Sequence, residues 1–266
     1  MRIQNFARKL QAHFSTENRN SNETYGQTLS NLKKYQTSTG IYLLPTAQKN
    51  DAITKTIISN KIFDEHVIDL IESNFKSASY ILDVGANFGQ MSIVLANRLA
   101  PRAVKIIAFE GEPTTARILH QNIELNDLSA TVKIIDKPVW ESDNEVINFP
   151  APNFERFDTW GSYGIRRTDD QSQDRRLIRA TTIDNHCKNL NVSVIKIDVQ
   201  GADLYALHGG LETIRACKPA IIFEFEQALA TELGHSFQDY LDFMAKIGYK
   251  IETVLDGDYL CLPKKM

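Results

Sequence analysis

Cysteine is scarce in this sequence, and its placement excludes the structures that cysteine usually builds. The chain has 266 residues and three cysteines, which are Cys187, Cys217 and Cys261. They stand too far apart for a paired zinc motif or a disulfide framework, so we interpret them as buried or inert thiols. Reduced thiols suit a cytoplasmic protein. A chain of this length can instead be stabilised by a substantial hydrophobic core.

Long apolar runs and an excess of one charge are also missing. No apolar stretch approaches the ~18 residues that a membrane-spanning helix needs, and the start of the chain lacks the apolar region of a secretory signal. The 30 Lys and Arg nearly balance the 33 Asp and Glu, which gives a formal net charge of -3. A broad nucleic-acid surface needs a basic excess, so nucleic acid is not an expected partner.

Residues 1–59 are predicted to form an N-terminal appendage with a helix, a polar linker and a short strand. The helix would carry four apolar side chains at helical spacing, Ile3, Phe6, Leu10 and Phe14. It either packs on its own domain or lies on a membrane surface, and the pattern leaves both open. Residues 15–31 are polar and typical of a linker. Residues 40–45, "GIYLLP", predict the short strand.

Residues 60–266 are predicted to form one α/β domain. An imperfect helical stripe covers about 52–73, and from residue 80 apolar runs of strand length alternate with helical stretches: "YILDVGA", "KIIAFE", "TVKIID", "SVIKIDV" and "AIIFEFE". Such β-branched runs are typical of strands covered on both faces, so we expect a parallel sheet with crossover helices. The end of the chain predicts a helix and an antiparallel strand pair around "LDGD" at the sheet edge.

Residues 141–180 interrupt this alternation and are long for a connection in a compact domain. We interpret them as a candidate substrate lid. Trp160, Ser162 and Tyr163 in this insertion could stack on a sugar ring and bind its hydroxyls. A hydrophobic plug under a loop is the equally favoured alternative.

The stretch "ILDVGANFGQ" at positions 81–90 predicts a strand that ends in a glycine turn after Asp83. In an open parallel sheet, ligands bind beyond the carboxyl ends of the strands, and glycine lets the backbone approach a ligand closely. Gly85 and Gly89 do not have the G-x-G-x-x-G spacing of a dinucleotide site. An acid beside the turn would repel phosphates but suits the ammonium and sulfonium groups of S-adenosylmethionine. Glu110, which follows the next strand, can bind both hydroxyls of a ribose.

The motifs also resemble a known family when they are taken together. "LDVGANFGQMSI", "AFEGEP", "NIELNDL", "TTID", "IKIDVQGADLYALHGG" and "FEFE" follow one another in the order found in FkbM-type methyltransferases. This resemblance implies a class I, Rossmann-like fold: a mostly parallel seven-stranded sheet with helices on both faces and an antiparallel C-terminal edge strand. It also implies an S-adenosylmethionine-dependent enzyme that methylates a hydroxyl oxygen of a sugar, polyketide or related metabolite.

The resemblance further implies roles for individual residues. Three groups are expected to bind the donor: Asp83, Gly85, Asn87 and Gly89 the methionine half, Glu110 the ribose, and Asp136, Pro138 and Val139 the adenine, although Asp136 is equally typical of a turn. The sequence departs from the family pattern at three positions. Gly111 replaces the usual proline after the ribose acid, and "KIDVQGAD" has Gln200 and Asp203 where glutamates are usual.

Two acids at neighbouring strand ends are the candidate catalytic residues. Asp198 ends the fourth strand and Glu224 ends the fifth, so both should lie at the same rim of the sheet. Either one acts as the general base that takes the acceptor's proton, or the two hold a divalent metal. The metal is not favoured, because no third ligand is obvious. The structural alternative for Asp198 is a cap on the next helix, and Glu226 and His208 are assigned structural roles.

The sequence therefore predicts an S-adenosylmethionine-dependent O-methyltransferase with a small-molecule or glycan hydroxyl as acceptor. Two other interpretations stay open. One is a nucleotide-dependent oxidoreductase on a similar sheet. The other is a non-catalytic module that binds S-adenosylmethionine, which the "KIDVQGAD" departure keeps open.

Overall fold

Strands and helices alternate along most of the chain. The computed structural model describes residues 32–45, 51–150, 175–255 and 257–264. The strands are β1 (Leu32–Gln36), β2 (Ile41–Pro45), β3 (Tyr80–Val84), β4 (Lys105–Phe109), β5 (Val132–Ile135), β6 (Val146–Pro150), β7 (Arg175–Arg179), β8 (Val192–Ile197), β9 (Ala220–Glu224), β10 (Tyr249–Leu255) and β11 (Asp258–Pro263). The α-helices are α1 (Ala52–Ile58), α2 (Glu65–Asn74), α3 (Gln90–Arg98), α4 (Pro113–Leu125), α5 (Ile183–Cys187), α6 (Asp203–Gly209), α7 (Leu211–Cys217), α8 (Gln227–Glu232) and α9 (Phe237–Lys246).

Seven of these strands form one sheet in the order β10-β11-β9-β8-β3-β4-β5. The five strands from β9 to β5 pair in parallel, whereas β11 pairs antiparallel with both β9 and β10. The predicted parallel sheet with an antiparallel C-terminal edge is confirmed. The strand order reverses at β3, whose neighbours are β4 and β8, and this is the place where open α/β sheets bind ligands.

The sheet is buried on both faces, which explains its apolar runs. Neighbouring residues of one strand enter different hydrophobic clusters, as Ile81 and Leu82 of β3 do. The cluster on the first face includes residues of α2, α3 and α4, and the cluster on the second includes residues of α6, α7 and α9. Side chains of successive strand residues point to opposite faces, so a strand between two helical layers must be apolar throughout.

The helical stripe expected at about 52–73 is interrupted. Helix α1 ends at Ile58 and α2 begins at Glu65, and the residues between them form a turn. Asn60 and Asp64 in this turn have left-handed φ values of 58° and 49°. Asn and Asp adopt this conformation more readily than other non-glycine residues, so the polar residues within the stripe explain the break.

The N-terminal hairpin β1–β2 packs on the domain rather than standing apart from it. The predicted short strand is β2, and its Tyr42 and Leu44 are buried in the same cluster as Ile81. Two asparagines bind the β2 backbone, Asn122 in α4 and Asn126 at the C-cap of that helix. The Leu43 N–H donates to Asn122 Oδ1 (2.6 Å) and the Ile41 N–H donates to Asn126 Oδ1 (2.9 Å). Residues 1–31, with the predicted helix and linker, lie outside the described residues.

The insertion at 141–180 contains two strands that the sequence did not predict. β6 and β7 pair antiparallel into an arm, with Val146 opposite Arg179. Residues 151–174, including Trp160, Ser162 and Tyr163, lie outside the described residues. No helix in the described ranges is long and apolar enough to cross a membrane.

Candidate active site

The glycine turn after β3 is pressed between the ends of two neighbouring strands. The N–H groups of Gly85 and Ala86 both donate to the carbonyl of Phe109 at the end of β4, each at 2.9 Å. On the other side, a Cβ on Gly85 would lie 1.9 Å from the carbonyl oxygen of Asp198, which follows β8. Gly85 has φ +84°. Only glycine combines this conformation with such a close backbone approach.

Gly89 and Asn87 complete the turn in different ways. Gly89 has φ +86° and precedes α3, and a Cβ there would lie 2.5 Å from Leu119 Cδ1. Asn87, with φ +50°, is also left-handed. Asn87 lines the cavity above the turn, whereas Gly89 packs on α4 and does not line it. Gly89 therefore shapes the turn but is not placed to touch a ligand.

Glu110, the predicted ribose acid, is held against this turn. Its Oε2 accepts a hydrogen bond from the Asn87 N–H (2.9 Å) and its Oε1 accepts one from the Glu112 N–H (2.8 Å). Burial raises the pKa of Glu110 to about 7, although the two backbone hydrogen bonds oppose that rise. A carboxylate oxygen can accept more than one bond, so both oxygens can still receive hydroxyl donors.

Gly111, one of the departures from the family pattern, lies against the segment after β5. A Cβ on Gly111 would lie 2.9 Å from Pro138 Cα. Pro138 and Val139, which the resemblance assigns to the adenine, both line the cavity. Asp136 does not: it is exposed and lies outside the lining. The structure thus leaves Asp136 as a turn acid, and the neighbouring Lys137, which belongs to no motif, lines the cavity instead.

Lys196 on β8 forms ion pairs with two acids of the predicted site, Asp83 and Asp198. Its Nζ lies 3.5 Å from Asp83 Oδ1 and 3.6 Å from Asp198 Oδ2, and it donates to the Gly85 carbonyl (3.0 Å). Burial works to lower the pKa of Lys196, but the charges of Asp198 and Asp83 outweigh it and hold that pKa above its ordinary value. Asp83 is therefore not a bare acid at the mouth of the turn, as the sequence suggested, because a lysine compensates its charge.

Asp83 retains one oxygen for a ligand. The side chain is 1% exposed, and its Oδ2 accepts a hydrogen bond from Ser92 Oγ (2.6 Å). Apart from the ion pair with Lys196, its Oδ1 has no hydrogen-bond partner in the described part of the chain. Such a buried acceptor is costly when it is left unsatisfied, and Asp83 lines the cavity.

The structure brings Asp198 and Glu224 into contact with each other and with a third side chain. Gln200 Nε2 donates to Asp198 Oδ1 (2.9 Å) and to Glu224 Oε2 (3.2 Å). Burial, followed by the charge of Asp198, raises the pKa of Glu224 above its ordinary value. Glu226 also lines the cavity, although it is exposed. Among the described residues, no group of three or more His, Cys, Asp or Glu is placed to hold a metal ion.

Asp203, the second departure in "KIDVQGAD", has a structural role at the same loop. Its carboxylate accepts hydrogen bonds from the Val199 N–H (3.3 Å) and the Gly201 N–H (3.2 Å). Burial raises its pKa to about 7, and the charge of Asp198 adds to that rise. Helix α6 has Ala202 as its N-cap residue, with no side-chain cap bond. Asp198 therefore does not cap this helix, and Asp203 holds the loop that leads into it.

These residues surround one cavity of about 310 Å³ at the carboxyl ends of β3, β4, β8 and β9. This volume is typical of small-molecule sites. Eight acids and two lysines occur among the described lining residues: Asp51, Asp64, Asp83, Glu110, Glu112, Asp198, Glu224, Glu226, Lys137 and Lys196. Asp51 and Asp64 were not predicted as site residues, because they precede the sheet and belong to no recognised motif. His208 is exposed and its ring packs on Phe243 at 4.8 Å, away from this cavity.

The strand order, the glycine turn and the acid after β4 together define a class I methyltransferase-like fold. The family model of the methyltransferase FkbM domain matches residues 83–251. The chain therefore belongs to the FkbM methyltransferase family.

The chain is also similar to individual methyltransferases. The chain is 27% identical over 183 residues to methyltransferase sdnD of Sordaria araneosa, an alignment that covers 59% of this chain and 69% of that protein. Methyltransferase FkbM from Methylobacillus flagellatus KT is similar over 71% of this chain, with 16% identity and a TM-score of 0.48. Precorrin-6y C5,15-methyltransferase from Geobacter metallireducens GS-15 is similar over 77% of this chain and 90% of its own, with 13% identity and a TM-score of 0.46. The chain spans 44% of the length of the Methylobacillus structure.

Proposed function

We propose that this protein is an S-adenosylmethionine-dependent O-methyltransferase that acts on a hydroxyl group of a sugar, polyketide or related small metabolite. The observation that carries the proposal is the position of Glu110. It directly follows β4, the strand next to the glycine turn, lines the cavity, and accepts a hydrogen bond from the Asn87 N–H. A carboxylate in this place can accept hydrogen bonds from both hydroxyls of a ribose, and the FkbM family match supports the methyl donor.

The residues around the turn fit such a donor. Asp83 Oδ1, which lies 3.5 Å from Lys196 Nζ, would also accept a hydrogen bond from the donor's ammonium group. Gly85 and Asn87 line the cavity beside it, and Pro138 and Val139 would bind the adenine. When bound, the donor supplies a methyl group on a positively charged sulfur. The surplus of acids over lysines in the lining favours a cationic donor over a diphosphate.

The ends of β8 and β9, which adjoin the turn, provide the groups that would receive the acceptor's proton. Asp198 faces Lys196 and Gln200, and both stabilise negative charge on its carboxylate. Glu224 is more easily protonated, since burial and Asp198 raise its pKa. We therefore assign the general base to Asp198 and a proton-holding and orienting role to Glu224. A placed base contributes ~10²–10⁴-fold to such reactions.

Trp160, Ser162 and Tyr163 remain proposed acceptor contacts, and residues 141–180 the proposed lid. The methyltransferase domain is proposed to cover residues 60–266 and the appendage residues 1–59. Cys187 and Cys261 are free and buried, and thiols of this kind favour the cytoplasm as the site of action.

Titration calorimetry with S-adenosylhomocysteine and with NAD⁺ and NADP⁺ tests the proposal. We expect S-adenosylhomocysteine to bind and the nicotinamide cofactors to give no heat. Binding of a nicotinamide cofactor alone would support the oxidoreductase alternative and overturn the proposal. Formation of S-adenosylhomocysteine from the methyl donor, screened against hydroxylated sugars and polyketides, separates an enzyme from a non-catalytic binding module.

A further inference from the structure

Gln200 stands between the two candidate catalytic acids and bonds to both. The Nε2 of its amide carries two protons, and it donates to Asp198 Oδ1 at 2.9 Å and to Glu224 Oε2 at 3.2 Å. The two acids lie on neighbouring strands: Ile197, just before Asp198, is the register partner of Phe223, just before Glu224. Gln200 thus connects the ends of β8 and β9 at the cavity, whose lining includes all three side chains.

The backbone around Gln200 directs its side chain to this place. Gln200 has a left-handed φ of 52°, which is uncommon for a residue with a long side chain. Asp203 binds the N–H groups on either side of it, those of Val199 and Gly201. A Cβ on Gly201 would lie 2.7 Å from the carbonyl carbon of Leu229. The loop is therefore fixed before and after Gln200. Such contacts are needed to hold a residue in an uncommon backbone conformation.

The chemistry of the contact also determines the orientation of the amide. The opposite orientation would place Oε1, which only accepts hydrogen bonds, against two carboxyl groups. A glutamate at position 200 would have the same shape but would bring a third carboxyl to this point. Glutamine brings two amide protons to this point where that glutamate would bring a carboxylate.

We propose that Gln200 is a positioning residue that holds Asp198 and Glu224 as a fixed pair and stabilises the negative charge that the pair carries. The proposal rests on the proposed function, because the pair forms the acceptor end of the cavity. Hydrogen bonds to a carboxylate favour its charged form. The amide thereby offsets the electrostatic repulsion between the two neighbouring carboxylates. It also keeps Asp198 ionised, so that Asp198 can act as a base.

Other charged groups around the pair act on it as well. Asp203 from α6 and Asp258 from β11 act on Glu224 and raise its pKa. Asp64 before α2 and Lys196 from β8 interact with Asp198, and Asp83 from β3 shares that lysine. The acids therefore favour protonation of Glu224, and the N–H donors of Gln200 act in the opposite direction.

The test is a pH titration of the carboxyl groups by ¹³C NMR on the full chain without ligand. The variants are Gln200→Met, which keeps the length of the side chain but removes both donors, and Gln200→Glu, which replaces them with an acid. Spectra of Asp198→Asn and Glu224→Gln assign the two signals. Gln238 offers a matched control: its amide donates to Asp242 Oδ1 (2.8 Å) on the exposed face of α9, so Gln238→Met and Gln238→Glu make the same changes away from the cavity.

We expect the titration midpoint of the Asp198–Glu224 pair to rise by about one pH unit or more in Gln200→Met. It should rise further in Gln200→Glu, whereas both Gln238 variants should leave it unchanged. Unchanged midpoints in a folded Gln200→Met protein would overturn the proposal, and if that variant does not fold, unchanged midpoints in Gln200→Glu would do so. The titration needs neither donor nor acceptor, so a failure of S-adenosylhomocysteine to bind the wild type would count against the proposed function alone.

Discussion

The backbone of Gly85 lies directly against the carbonyl oxygen of Asp198, where a Cβ on residue 85 would stand 1.9 Å from that oxygen. The two residues are far apart in the sequence, but they follow the neighbouring parallel strands β3 and β8. Gly85 belongs to the proposed donor site, and Asp198 is the proposed base. The proposed donor site and the proposed base are therefore adjacent, and their contact leaves no space for any side chain at position 85.

Replacing Gly85 with alanine should therefore be severely destabilising. The φ of +84° alone costs an alanine roughly 1–2 kcal/mol, and the clash with a strand-end carbonyl adds to this cost. We expect a loss of more than about 4 kcal/mol in the free energy of unfolding, measured by urea denaturation, or no folded protein. Gly248 is a matched control, because it has φ +78° and a Cβ added there would meet no atom within 4 Å. Equal losses in Gly85→Ala and Gly248→Ala would contradict this account.

Replacing Glu110 with alanine should weaken binding of S-adenosylhomocysteine. Hydrogen bonds to a charged group contribute ~1.5–3 kcal/mol, so we expect the dissociation constant to rise by roughly 10- to 100-fold in calorimetry. The Asn87 N–H would also lose its partner in the turn. An affinity equal to that of the wild type would show that Glu110 does not bind the ribose.

Replacing Asp198 with asparagine should separate binding from turnover. The affinity for S-adenosylhomocysteine should change little, while methyl transfer to an acceptor found by screening should fall by ~10²–10⁴-fold. Glu226→Gln is the control, since Glu226 lines the same cavity but is exposed and has no assigned role in proton transfer. Similar losses of turnover in both variants would argue for a general effect of charge instead of a base at position 198.

The stability of the protein should depend on pH through Asp203. Its pKa is raised from an ordinary 3.8 to about 7, so the folded state keeps a proton that the unfolded chain releases near pH 4. The resulting contribution to stability is present below about pH 4 and is lost as the pH rises to about 7. Unfolding free energies of Asp203→Asn and wild type should differ in slope by about 1.4 kcal/mol per pH unit over that range. Parallel curves would contradict the raised pKa.

Most of the fold was predictable because each strand and helix has a recognisable pattern in its own stretch of the sequence. Strands such as β3 and β8 are nearly continuous apolar runs, because a strand covered on both faces needs apolar side chains on both sides. Glu110 and Asp198 stand at the ends of such runs, so their position at one rim of the sheet follows from parallel strands. The hairpin β1–β2 and the arm β6–β7 were harder, since they are short pairs without a repeated pattern.

The relationships within the site were not predictable, because they depend on the register between strands. Asp83 and Lys196 are direct partners in the β3–β8 ladder, and this pairing cannot be predicted from the sequence of either strand alone. The bridge made by Gln200 depends on a left-handed backbone at a residue that seldom adopts it. The sequence left two roles open for Asp136, and in the structure Asp136 is exposed and lies outside the cavity lining, whereas Pro138 and Val139 of the same segment line it.

A crystal structure of the protein with S-adenosylhomocysteine is the most direct test of the central claim, that this cavity binds the methyl donor. We expect the ligand's ribose hydroxyls on Glu110, its ammonium group near Asp83, and its sulfur facing the end of the cavity that holds Asp198. A ligand bound elsewhere, or a crystal soaked at saturating concentration in which the turn at Gly85 holds phosphate instead, would contradict it.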